Sequence, residues 1–146
     1  MGNTYSCKVW WFVSTSIQCI WIEPTSEYRD EVLKGPFASS RKSPIYRGIG
    51  FEGTLDEAPI GAIWNADWMP IRQGEEYFVV RLPGGSDWAI DGPSFNADLT
   101  EAKSRGWTRT GTPPNLTVTP SIQIHSTGYH AFLTNGVLVA CSDSRI

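Results

Sequence analysis

The chain has 146 residues, 40% of them hydrophobic and 18% charged, and a formal net charge of −3. That length fits one domain, residues 1–146, able to bury about two-thirds of its unfolded surface. The composition excludes a disordered tail or a coiled coil. The charge excludes the footprint of a nucleic-acid binder, since Arg41-Lys42 is the densest basic cluster and backbone-directed binding neutralises many phosphates.

In chain order, residues 8–13 and 17–23 are rich in aromatic and β-branched types and read as strands separated by a polar "STS". The apolar run they form is too short and too often interrupted by Ser, Thr and Gln to span a membrane. It lacks the small-residue cleavage site of a signal peptide. The opening "MGNTYS" fits the permissive myristoylation pattern and is taken as chance. Residues 1–16 are expected to form an added strand. Residues 24–59 carry so many breakers ("EPTSE", "KGPFASS", "KSP") that they read as a loop-rich portion.

Residues 62–68 form an apolar stretch in which Trp64 and Trp68, four apart, share one strand face and Asp67 the other. Residues 77–82 turn through "PGGS" into residues 87–91, a hairpin whose Gly-Gly supplies positive φ. Asp98, Glu101 and Gly106 mark the cap, capping box and end of one short helix. Residues 116–124 return to β with Pro120 at an edge or a bulge.

The strongest local signal is "YHAFLTNGVLVACS", an Asn-Gly type I′ hairpin. With Asn135-Gly136 as the turn, Leu133 faces Leu138, Phe132 faces Val139 and His130 faces Cys141. Leu133, Leu138, Ala131 and Ala140 then share one side, and Phe132, Val139, His130 and Cys141 the other. Both sides are largely apolar, so the hairpin is expected to be central and covered on both. The resulting fold class is mainly β, α+β with one short helix: a compact antiparallel sheet or sandwich, or a partly open barrel, built of hairpins.

Candidate chemistry is sparse. Cys7, Cys19 and Cys141 are an odd number without a C-x-x-C, which argues against a disulfide framework or a structural zinc site and for a reducing compartment. His125, His130, Cys141 and Asp143 supply metal-ligand types but no diagnostic spacing, and a histidine on an apolar strand is more often a hydrogen-bonded core residue. No metal and no cofactor is expected. Cys141 with His130 is a candidate nucleophile and base, but neither a group orienting the base nor an oxyanion hole is identifiable. Asp67, Asp87 and Asp91 offer paired carboxylates for glycoside hydrolysis. Asp87 and Asp91, however, alternate with Trp88 and Ile90, as on a strand with one wet and one buried face. Gly84-Gly85 lacks the lysine of a phosphate loop, and the sequon at Asn115 stands alone.

Seven tryptophans exceed the need of one small core, so part of the aromatic surface is expected to face a partner. Trp64, Asp67, Trp68, Trp10 and Trp11 are the candidate binding residues. The candidate catalytic residues are His130, His125, Cys141, Asp87 and Asp91.

The blocks "GAIWNADWMP", "RLPGGSDWAIDG" and "GYHAFLTNGVL", with "GWTRTGTPPNLTV", resemble a group of small uncharacterised proteins of tailed bacteriophages and prophages. The likeness runs from about residue 20 to residue 142. The chain departs from the group at Ala97 and Gly106, where relatives carry cysteines. Any metal or redox chemistry those thiols serve is lost here. The resemblance implies no catalytic residue. It does imply a setting: an accessory protein in the host cytoplasm that binds, and blocks, a host protein such as a defence effector. A small metal-dependent or Cys/His hydrolase and a minor virion component are the alternatives, and a homodimer is a further partner to test.

Overall fold

The computed structural model describes residues 16–32, 40–68, 76–90 and 108–146. The expected strand at residues 8–13, the expected helix at 98–106, Trp10, Trp11, Cys7 and Asp91 lie outside them.

Among the described residues the protein is mostly β, two sheets packed face to face and not closed into a barrel. The strands are β1 (Ser16–Gln18), β2 (Ile20–Val32), β3 (Ser40–Gly48), β4 (Phe51–Gly53), β5 (Ala62–Asn65), β6 (Phe78–Arg81), β7 (Asp87–Ala89), β8 (Thr108–Thr112), β9 (Asn115–Ile124), β10 (Tyr129–Thr134) and β11 (Val137–Ala140). One sheet has the order β1-β11-β10-β9-β8, the other β4-β3-β2-β5-β6-β7. Pairing is antiparallel except between β2 and β5.

Three sequence expectations are corrected. Residues 17–23 are not one strand. The chain breaks at Cys19, so β1 joins the first sheet and β2 the second, while the Cys19 N–H bonds the Gly136 carbonyl at 2.9 Å. Nor are residues 24–59 mainly loop, since β2 and β3 form a long antiparallel ribbon through them. Pro24 and Pro44 border the register shift in that ribbon, where a missing N–H costs least. Cross-strand ion pairs, Arg41 with Glu31 at 3.4 Å and Lys42 with Asp30 at 3.3 Å, line a stretch too polar to read as a strand. The third correction concerns the last hairpin. Its expected register is present, Leu133↔Leu138 and Phe132↔Val139, and it lies inside its sheet. But it is covered on one side only, for Phe132 is 48% and Val139 41% exposed.

Strand alternation then explains two apolar clusters. Ile63, Phe78, Val80, Leu82 and Ile90 of the second sheet meet Leu116, Val118, Ile122, Leu133 and Leu138 of the first, forming the core between them. The opposite parity of the second sheet, Ile22, Tyr46, Ala62, Trp64 and Val79, packs beneath the segment around Leu55 and Ala58. A sheet covered on both faces loses its polar alternation, which is why "FVV" in β6 is apolar throughout.

That overlying segment holds a one-turn 3-10 helix, Leu55–Glu57. The Glu57 carboxylate accepts from the Thr54 N–H at 2.8 Å and from Arg29 at 2.7 Å. The segment is tied to the sheet by Arg81, whose guanidinium donates to the carbonyls of Leu55 at 2.8 Å and Ala58 at 2.9 Å.

Candidate functional site

Two surfaces gather the residues singled out from the sequence, one on the outer face of each sheet.

On the second sheet, β5 ends at Asn65 and the chain turns at Asp67-Trp68. Trp64 and Trp68 therefore do not share an extended strand. Trp64 is 2% exposed, packed in the core with the Arg81 guanidinium 5.3 Å from its ring centroid, so it is not the exposed binding residue expected. Trp68 is 55% exposed, and Asp67 is exposed beside it. Trp68 and Leu55 stand between two adjoining grooves. One, of about 220 Å³, is walled by Trp64, Tyr77, Val79 and Ala89. The other, of about 380 Å³, is walled by Tyr46, Pro44 and Ser43 and rimmed by Glu31, Arg41, Lys42 and Asp56. Burial first, and the Asp67 charge second, push the Tyr46 hydroxyl above its usual range.

Asp87 borders the smaller groove but is committed elsewhere. Arg81 Nε and Nη2 reach its two oxygens at 2.9 and 3.1 Å, a two-pronged pairing that also raises the arginine further. This corrects Asp87 as a candidate catalytic acid: its charge is spent on the cation that fastens the Leu55 segment. Its neighbour Trp88 packs against the inter-sheet core, as the alternation predicts. The dipeptides Asp67-Trp68 and Asp87-Trp88 are thus two different things, an exposed turn and a structural strand.

A third cavity, about 670 Å³, opens where the chain changes sheets and is lined by Cys19, Trp21, Arg47, Ile49 and Pro114. The Trp21 indole N–H donates to Glu23 at 2.7 Å, and its ring meets Phe78 edge to face with centroids 5.5 Å apart.

On the outer face of the first sheet the structure builds a polar network that sequence reasoning reached only in part. His130 sits on β10 and its Nδ1 lies 2.7 Å from Asp143 Oδ1, while its Nε2 lies 2.8 Å from Ser121 Oγ. An ionised carboxylate only accepts, so Nδ1 carries a proton, and in the neutral imidazole Nε2 then accepts from the serine hydroxyl. Each member is held by backbone. Ser121 has the parity of Gln123, the cross-strand partner of His130, and so lies on the His130 side, beside the register slip between Ala131 and Leu133 where β9 bulges around Pro120. The C-terminal tail folds back: the Cys141 N–H bonds the His130 carbonyl at 2.7 Å, the His130 N–H bonds Ser144 Oγ at 3.0 Å, and the Arg145 N–H bonds the Gly128 carbonyl at 2.9 Å. That fold-back sets Asp143 against the imidazole.

Cys141 completes the cluster. One donor atom each from His130, Cys141 and Asp143 lie within 4.8 Å of one another, the donor types of a transition-metal site. The ring nitrogen and carboxylate already satisfy each other, and burial first, then the Asp143 charge, push the Cys141 thiol up, so it is the less ready nucleophile. His125 is exposed in the turn after β9, apart from this cluster, and is corrected as a partner of His130. The group missing from the sequence-based Cys–His pair, one orienting the base, is Asp143, and the hydroxyl at the other ring nitrogen is Ser121. The alternation Ser121, Gln123 in β9 was the available signal.

No helix of the described residues is long and apolar enough to cross a membrane. Compared with family models, with curated proteins and with solved structures, the chain matched none of them.

Proposed function

We propose that this chain acts by binding another protein, with Trp68 as the anchor. What supports the reading is a single observation: a large indole, 55% exposed, raised between two adjoining grooves whose floors are buried aromatic and aliphatic side chains. Leaving that apolar area in water is unfavourable unless a partner covers it, and aromatic anchors within a polar rim are the usual energetic centre of protein interfaces. Glu31, Arg41, Lys42 and Asp56 supply a rim of both signs, suited to register and partner choice. In the phage setting that the resemblance implies, the partner is a host protein in the host cytoplasm, and binding blocks it, a defence effector being the favoured class.

The test is affinity capture of the tagged chain from host cells, followed by binding measurements with the purified partner. Trp68→Ala is expected to weaken binding by about 2 kcal/mol, some thirtyfold, as an interface hot spot does. Phe132→Ala, on the opposite sheet, should bind like wild type. Failure to capture a partner, or a Trp68→Ala chain that binds it undiminished, refutes the reading.

A further inference from the structure

We propose that Ser121 is an acylatable nucleophile, activated by His130 and served by Asp143 as a positioning residue, and that its substrates are carboxylic esters with an apolar acyl group. The inference rests on the first sheet and does not depend on the Trp68 surface.

The argument is geometric. Nucleophilic use of a serine calls for a base within hydrogen-bond reach of Oγ and a third group that fixes the base's tautomer. Here Ser121 Oγ to His130 Nε2 is 2.8 Å, and His130 Nδ1 to Asp143 Oδ1 is 2.7 Å. Three separate backbone elements converge to make them: the strand β9, the strand β10 and the folded-back tail. Beside the network, the cross-strand pair Phe132 and Val139 lies on the same sheet face and is substantially exposed. It forms an apolar shelf on which an acyl chain would lie with its carbonyl toward Ser121.

The chemistry balances with water as co-reactant. Ser121 Oγ attacks the ester carbonyl carbon while His130 Nε2 takes the hydroxyl proton. The bond from the carbonyl carbon to the alkoxy oxygen breaks, and the leaving alcohol takes that proton from His130. Water then attacks the acyl-serine ester, giving one proton to His130, which returns it to Ser121 as the carboxylic acid departs. Asp143 accepts from Nδ1 throughout and moves no proton.

The experiment uses the full chain and two probes, an alkyl fluorophosphonate and p-nitrophenyl butyrate, with the modified peptide located by mass spectrometry. The expected result is one adduct on Ser121, absent from Ser121→Ala, and slowed in His130→Ala by on the order of 10²–10⁴. Asp143→Asn should slow labelling and displace its pH profile, whereas Asp143→Glu should recover part of the rate. A merely structural carboxylate would leave that profile in place. Phe132→Ser should slow butyrate hydrolysis more than acetate hydrolysis. Circular dichroism shows whether each variant is folded, and Ser121→Ala, a loss of one surface oxygen, keeps the test open if the His130 variant does not fold. The proposal is overturned by an unlabelled Ser121 in folded protein, by labelling that persists undiminished in His130→Ala, or by an adduct on Cys141 that survives Ser121→Ala. A chain that captures a partner through Trp68 yet leaves Ser121 unlabelled refutes this proposal alone.

Discussion

Arg81 offers a sharp test of how the second sheet is assembled. Arg81→Met keeps the aliphatic stem and removes the guanidinium, which makes two short bonds to backbone carbonyls and a paired contact with Asp87. The Leu55 carbonyl retains one bond, from the Ala58 N–H at 3.1 Å, so the loss there is partial. The Ala58 carbonyl loses a charge-assisted bond, each such bond contributing about 1.5–3 kcal/mol. Asp87 is half exposed and is rehydrated when its partner goes, which limits the ion pair to roughly 0–1 kcal/mol. The sum is about 3 kcal/mol, a fall in Tm of roughly 6–12 °C for a domain of this size. Thermal and urea unfolding followed by circular dichroism measure it. A double-mutant cycle with Asp87→Asn should assign no more than about 1 kcal/mol to the pair. If Arg81→Met costs under 1 kcal/mol, or if the cycle attributes the whole loss to Asp87, the idea that Arg81 fastens the Leu55 segment is wrong.

The two tryptophans of the Asp67 region should behave oppositely: Trp64→Ala is expected to cost about 3–5 kcal/mol and Trp68→Ala less than about 0.5, read from urea unfolding. Burial raises Cys19 to about 12 from 9.0. Its folded value lies above its unfolded one, so the stability it contributes is complete below pH 9 and is lost as pH rises toward 12. The expected slope is about 1.4 kcal/mol per pH unit, and it should flatten in Cys19→Ala. In the native protein an alkylating reagent should modify Cys141, which is half-buried, well before Cys19, which is buried, as peptide mass spectrometry reports. The Tyr129 hydroxyl is buried with no hydrogen-bond partner among the described residues, so Tyr129→Phe should leave stability unchanged or raise it by about 1 kcal/mol, and a loss larger than that in thermal unfolding contradicts the structure.

How far the sequence carried depended on whether local chemistry or distant packing decides each feature. Asn135-Gly136 forces a tight turn through its own backbone, with φ of +46° and +79°, so the register of β10 and β11 followed residue by residue. Pro120 announced an irregularity and sits within one. The break at Cys19 left no mark in an apolar run, because what splits it is which sheet each half joins. The ribbon from β2 to β3 was hidden for a related reason. Its strand content rests on ion pairs and ladder bonds that a hydrophobic period does not register. For the candidate site, His130, Cys141 and Asp143 were visible as residue types. Their use was not, because the placement of Asp143 is fixed by a tail bonded to His130 and Gly128, and that of Ser121 by the pairing of β9 with β10, which no local signal announces. Trp64 and Trp68 differ for the same reason: one residue stays in its strand and the other leaves it.

The passage of one continuous backbone from β1 into β2 gives the sandwich a seam that is covalent at one corner. With the Cys19 amide locked onto Gly136, the two layers cannot part there like the covers of a book without first breaking that bond to the tight turn between β10 and β11. Slow motions should therefore start at the far edges, at β4 and β8, and the Cys19 amide should exchange its hydrogen only when the whole molecule opens.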